Sequence, residues 1–245
     1  MRFSKSWIVA SKDFAIFTKK KNIIYSIVII PLMLSFLLPA IMAYAERKST
    51  FQTAEISILL PAFTFLYLAL AGVIPTTIAS YSIVGEKVEK SLEPLLATPT
   101  TDTEILFGKG ISAFLPPIAA ILGGSAIFMA LMDLVTRSKL GYYFFPNLNS
   151  DILLYLMVPL AVIMSVEWNV IVSSRVSDVR VAQQFGALIV IPFFGIYLAG
   201  EINLIDLGIT NNLLYVCAAL VAAVLILFIL ARATFRREEI LTRWK

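Results

Sequence analysis

Six long apolar runs divide the chain, and the stretches between them are short and polar. They cover roughly Ile23 to Tyr44, Ile56 to Val84, Ile111 to Val135, Ile152 to Val172, Phe185 to Ala199 and Leu213 to Ala231. A helix needs about 20 mostly apolar residues to cross the ~30 Å hydrocarbon core of a bilayer. The pattern therefore predicts an all-α, polytopic membrane bundle of six transmembrane helices. The fifth run is short and interrupted by Pro192. It either crosses with little tilt or continues as a re-entrant piece through Glu201 to Asn211. No internal repeat or low-complexity linker divides the chain, so residues 1–245 read as a single transmembrane domain.

Ahead of the first run the periodicity changes to that of an amphipathic helix. At 100° per residue, Trp7, Ala10, Phe14 and Phe17 fall within about 40° of Phe3, while Lys5, Lys12 and Lys19 lie near the opposite pole. Residues 1–21 are expected to lie in the membrane interface. Phe3, Trp7, Phe14 and Phe17 would enter the acyl boundary, and the lysines would meet headgroups and water. Such a helix is either a passive anchor or an elbow that ties cytoplasmic motion to the membrane.

Composition agrees with lipid as the solvent: 59% of residues are hydrophobic and 15% charged, with a mean hydropathy of +0.88. That lies outside soluble composition. The net charge of +4 does not indicate nucleic acid, because the basic residues sit at the ends of apolar runs and form no single patch. Sixteen of the twenty Lys and Arg residues fall in segments 1–22, 85–110, 173–184 and 232–245. The positive-inside rule then puts both termini in the cytoplasm. The first run follows a charged, aromatic segment and is too long for a signal-peptide core, so it is expected to stay in the membrane. The chain has no histidine and one cysteine, Cys217, within an apolar run. The commonest general base, the usual metal ligand and any internal disulfide are thereby removed.

The longest cytoplasmic segment, residues 85–110, carries the most specific pattern. Val88, Leu92, Leu95 and Leu96 share one helical face, with Glu86, Lys87, Glu89, Lys90 and Glu93 around it. Thr98-Pro99 ends this helix, and Thr101 to Glu104 reads as a capping box that starts another one leading into the third span. The segment is predicted to be a helix-turn-helix whose apolar stripe docks on something. Its five acidic residues against three basic ones favour a protein partner over anionic lipid, the other reading being an interfacial loop without a partner.

At these positions the sequence resembles the permeases of type-2 ABC exporters. Glu86-Lys87, Leu92-Glu93, Leu95-Leu96, Thr98-Pro99, Glu104-Ile105 and Gly108-Lys109 stand in the order and spacing of that family's motif between spans two and three. Val88, Lys90 and Ser91 depart from it, the family more often having Glu, Gly and Thr. A second, weaker match is Ser173 to Asp178 with Arg180, Ala182, Gln183 and Gln184, before the fifth span. The resemblance implies a permease homodimer or heterodimer in the plasma membrane, with a separate ATPase subunit that holds ATP and Mg. It also implies that Glu86, Val88, Leu92, Glu93, Leu95, Leu96 and Pro99 belong to a coupling helix seated on that ATPase. No cofactor is expected on this chain, since Gly108-Lys109-Gly110 lacks the loop and hydroxyl of a phosphate cradle.

Glu167 is the acidic residue set deepest in a run. A carboxylate there costs at least ~2.5 kcal/mol on insertion scales and so faces the bundle interior, pairs, or is protonated. It is a candidate for the translocation pathway, or else a structural partner of Trp168, Asn169 or Arg175. Asp133, near the outer end of the third run, reads as interfacial. Eight of the eleven prolines lie within or beside the runs, which suits kinked helices around a cavity or reflects the tolerance of membrane helices for proline. The rival class is an ATP-independent secondary transporter with Glu167 as its coupling carboxylate. A membrane enzyme is disfavoured because no carboxylate pair, metal set or nucleophile with a base can be assembled within the runs.

Overall fold

The computed structural model describes residues 3–47, 53–89, 91, 98, 100–202 and 204–234, and these are helical apart from short connections. Among the described residues six helices are long and apolar enough to cross a membrane: Ile23–Arg47, Leu59–Val88, Asp102–Leu140, Leu148–Arg175, Val179–Gly200 and Thr210–Thr234. They match the six runs and are called the first to sixth spans below. A shorter helix, Phe3–Lys19, precedes them.

The third span is the organising element. At 39 residues it is about 58 Å long, well beyond the hydrocarbon core. The predicted capping box starts it. Glu104 N donates to Thr101 Oγ1 at 3.3 Å, and Thr101 N donates to Glu104 Oε2 at 3.1 Å. Gly141, at φ +77°, ends it in the left-handed conformation that a side chain disfavours. The N-terminal helix and the first, second and fourth spans all pack on this rod. Ser35 of the first span donates to the Gly124 carbonyl at 2.6 Å and meets Tyr67 Oη at 3.0 Å. A Cβ on Gly124 would stand 3.0 Å from Pro31, so the missing side chain permits this approach.

Apolar residues occupy both the core and the outside, as lipid solvation requires. Tyr67, Phe128, Phe193, Leu60 and Ile121 are fully enclosed, while Met33, Phe36, Leu37, Leu225 and Ile229 are exposed. Neighbouring helices also satisfy backbone groups beside prolines: Ser165 Oγ donates to the Gly72 carbonyl at 2.6 Å, in the turn before Pro75.

The fifth span consists of two helices, Val179–Ala187 and Val190–Glu201. Pro192 cannot donate to the carbonyl of Leu188, which instead accepts from Ile191 N at 3.0 Å in a tighter turn. After Glu201 the described residues form turns up to the sixth span, with Leu204 N and Ile205 N returning to the Ala199 carbonyl at 2.9 and 3.1 Å. No helix is described between Glu201 and Thr210. Asn149 Nδ2 fastens this connection by donating to the Gly208 carbonyl at 2.7 Å. A cavity of about 570 Å³ lies beneath it, lined among others by Thr64, Tyr197 and Asp206. Asp133, expected at the interface, is buried and accepts from the backbone amides of Phe144 and Phe145 at 2.9 and 3.0 Å.

Candidate functional site

The N-terminal helix lies across the start of the third span, and its packing differs from the interfacial expectation. Phe3 and Trp7 are exposed, with Trp7 edge-on to Phe14 at 6.3 Å. Phe17 and Ala10, however, are buried in the bundle, together with Ser6, Val9 and Asp13. The close approach depends on Gly108. A Cβ there would stand 2.6 Å from the Ser6 carbonyl oxygen and 2.8 Å from Val9 Cβ.

Beside that contact is a buried ionic cluster built from three elements. The second span ends in a π turn, Tyr81–Gly85, a wide turn of a kind frequent at functional positions. Directly after it comes Glu86, only 4% exposed. Its Oε2 accepts from Lys109 Nζ and its Oε1 from Lys12 Nζ, both at 2.6 Å. Lys109, 1% exposed, also donates to the Ser82 carbonyl and stands 3.8 Å from Asp13 Oδ2. Asp13 Oδ2 in turn accepts from Ser82 Oγ at 2.7 Å and Ser112 Oγ at 3.0 Å. Two lysines meet two carboxylates, so the formal charges balance, and both Glu86 oxygens and Asp13 Oδ2 accept hydrogen bonds. A buried ion network tolerates low dielectric only under those conditions.

Lys87 extends the clamp to a fourth element. Its Nζ donates to the Ser173 carbonyl at 2.7 Å and the Ser174 carbonyl at 3.3 Å. Both belong to the last turn of the fourth span, where carbonyls lack helix partners and the dipole favours a cation. Farther out, Lys20 and Glu89 form an exposed pair at 2.8 Å.

Glu86 and Lys87 therefore pack into the bundle and not around the predicted apolar stripe, and Lys12 pairs with Glu86. Val88 is 59% exposed. Leu92, Glu93, Leu95, Leu96 and Pro99 lie outside the described residues, as does most of the predicted docking helix. The sequence reading missed Asp13, Ser82, Lys109 and Ser112 as a unit. A usable signal existed: Asp13 is the one acidic residue before Glu46.

Glu167 sits deeper in the bundle, 9% exposed. None of its anticipated partners holds it. Trp168 Nε1 donates to the Phe185 carbonyl at 3.0 Å. Asn169 Oδ1 accepts from Ser80 and Ser173 hydroxyls at 3.1 and 2.8 Å, and Arg175 is exposed. The residue is one of those that line a cavity of about 250 Å³ between the third, fourth and sixth spans, whose walls are otherwise apolar.

A family model described as ABC-2 family transporter protein matches residues 18–179. The chain belongs to the ABC-2 transporter family. The matched stretch takes in the first four spans, the Glu86–Lys109 pair and Glu167, while Lys12 and Asp13 of the ionic cluster precede it. Among curated proteins there is no match. As an ABC-2 transporter with six apolar helices, the chain is a multi-pass membrane permease.

Proposed function

We propose that this permease exports its substrate using ATP hydrolysed by a separate ATPase subunit. Two permeases, as homodimer or heterodimer, assemble with two ATPases in the plasma membrane, and ATP and Mg bind on the ATPases. Both termini and the residue 85–110 segment face the cytoplasm, which the sixteen-of-twenty distribution of basic residues supports.

The single observation that carries this reading is the clamp at Glu86 and Lys87. The chain enters the docking segment directly from two buried charged residues tied to the N-terminal helix, the third span and the end of the fourth. Force applied by an ATPase at Val88, Leu92, Leu95 and Leu96 would not be absorbed by a loose tether. It would be delivered to three helices at once. Closure of the ATPases then shifts this group between two arrangements, the kind of bistable element that switching requires. Glu86, with Lys109 and Lys12, acts here as a positioning residue for the coupling helix, while Leu92, Glu93, Leu95, Leu96 and Pro99 supply the docking surface.

The test is co-purification with a candidate ATPase subunit, sought among the neighbouring reading frames. Wild-type chain should retain it stoichiometrically, and Leu92→Asp or Leu95→Asp should lose it. Stoichiometric retention by both variants would refute the docking surface.

A further inference from the structure

We infer that the cavity of about 570 Å³ at the end of the bundle opposite the clamp binds an amphiphile, an apolar chain whose head forms hydrogen bonds and carries no negative charge. The inference rests on the exporter reading in one respect, that this end of the bundle faces outward, where an exported molecule leaves.

The cavity lies among the second, fourth and fifth spans and the connection before the sixth, and its polar and apolar lining residues are separated along the bundle. Asn147, Asn149 and Ser150 stand at the start of the fourth span, beside Asp206 of the connection. Leu153 and Met157, about one and two turns farther into the fourth span, continue the wall inward with Phe65 and Ile196. Two polar residues, Thr64 and Tyr197, lie in the inner part. The Thr64 hydroxyl already donates to the Leu60 carbonyl at 2.9 Å, and the Tyr197 ring lies against Phe65 at 4.9 Å. The polar end is held in shape by the protein itself. Asn149 donates to the Gly208 carbonyl and accepts from Thr210 Oγ1 at 2.8 Å, and Leu207 closes on Gly200, where a Cβ would stand 2.5 Å from Leu207 Cδ1.

A wall that changes from polar to apolar over a few turns matches a ligand with a head and a tail. Water would suit Asn147, Ser150 and Asp206 but leave Phe65, Leu153 and Met157 without apolar contact, and a pure hydrocarbon would do the reverse. The volume falls within the ~300–1,000 Å³ of sites for small organic ligands. Charge narrows the class of head. Among the described lining residues none is basic and Asp206 is the one acidic residue. Its Oδ1 accepts from Gly208 N at 2.8 Å, and its other oxygen has no partner among the described residues. The Ser150 hydroxyl, on a residue 5% exposed, likewise makes no hydrogen bond among them. A head with hydroxyl donors finds acceptors here, whereas an anionic head meets a carboxylate with no lining cation to offset it. Asp206 and Gly208 are exposed, so the polar end is also the end that reaches solvent.

The experiment uses the full chain alone in phosphatidylcholine nanodiscs, whose two faces are both open to solution, without ATPase or nucleotide. The probe is dodecyl glucoside carrying a diazirine in its alkyl chain, and crosslinks are mapped on peptides by mass spectrometry. Labelling should concentrate on the peptides holding Leu153, Met157 and Ile196. Unlabelled dodecyl glucoside should displace the probe at least about tenfold more strongly than dodecyl sulfate, which has the same chain and an anionic head. Asp206→Lys, on the exposed connection, should bring the sulfate at least level with the glucoside. Ala62→Trp, in the wall of the cavity, should abolish the concentrated labelling. Labelling spread over lipid-facing peptides such as those of Leu225 and Ile229, equal displacement by sulfate and glucoside in wild type, or a glucoside preference unchanged by Asp206→Lys would each overturn the inference. Wild-type labelling and displacement decide even if a variant does not fold. Failure here with ATPase association intact leaves the exporter reading in place, and loss of association by Leu92→Asp says nothing against this site.

Discussion

Glu86 and Glu167 are both buried carboxylates, 4% and 9% exposed, yet their surroundings are opposite. Around Glu86 the chain gathers two lysines, a second carboxylate and two serine hydroxyls from three helices. Around Glu167 it gathers phenylalanine, isoleucine and valine. Burial alone thus says little about what a membrane carboxylate does, and its partners say most of it. A saturated group fixes geometry, while an unsaturated one burdens the fold with an unmet desolvation cost. The first kind belongs where force is to be transmitted.

The strongest way to break the comparison is to strand the saturated group. Lys109→Met leaves Glu86 and Asp13 buried with like charge and without their shared cation. Removing one partner of a buried pair costs about 3–5 kcal/mol, so thermal unfolding of the purified chain should occur at a markedly lower temperature. Combining it with Asp13→Asn and Glu86→Gln should recover much of the loss, because the only charge left without a partner in the cluster is Lys12, whose side chain is 40% exposed to solvent. Next in size is Gly108→Val. Its side chain would overlap the Ser6 carbonyl and Val9, and overpacking of this kind costs about 1–3 kcal/mol. The N-terminal helix should lift, seen as faster proteolysis or labelling at a cysteine placed at Val9.

A matched pair of variants sharpens the contrast further. Glu86→Gln should lower stability by about 1.5–3 kcal/mol, the usual worth of a hydrogen bond to a charged group. Glu167→Gln should leave stability unchanged or raise it, by up to the ~2.5–3.5 kcal/mol insertion cost of a charge. Comparable losses from both would erase the distinction. The smallest effect belongs to Glu89→Gln. The Lys20–Glu89 pair has side chains 35% and 51% exposed, and surface pairs are worth about 0–1 kcal/mol, so the unfolding temperature should barely move.

The spans and the start of the third helix were legible in the sequence because their causes are local. Hydrocarbon thickness sets run length, and Thr101 and Glu104 satisfy each other's backbone within one turn. The clamp was not legible in that way. Asp13 and Ser112 are 99 residues apart and Lys12 and Glu86 are 74 apart, so only tertiary packing reveals that they meet. Phe17 illustrates a different limit. An amphipathic pattern identifies an apolar face, but packed protein and acyl chains are almost equally apolar, so periodicity could not tell burial in the bundle from insertion in lipid. The segment after Glu201 was ambiguous because a short apolar stretch serves a turn as well as a re-entrant helix. The Gly108-Lys109 pair was recognised by family pattern, and the structure supplies its physical reasons: the glycine admits the N-terminal helix and the lysine neutralises two carboxylates.

The central claim is that the N-terminal helix and the start of the docking segment move as one ion-locked body. Spin labels at Ser11 and Val88, both exposed, measure it in the assembled complex by pulsed dipolar spectroscopy, with Cys217 replaced by alanine. On adding ATP and Mg, the distance between the Val88 labels of the two permeases should change, and the distance between labels at Ser11 and Val88 of one permease should stay fixed. A shift between Ser11 and Val88 comparable to the one between the two Val88 labels would contradict the claim.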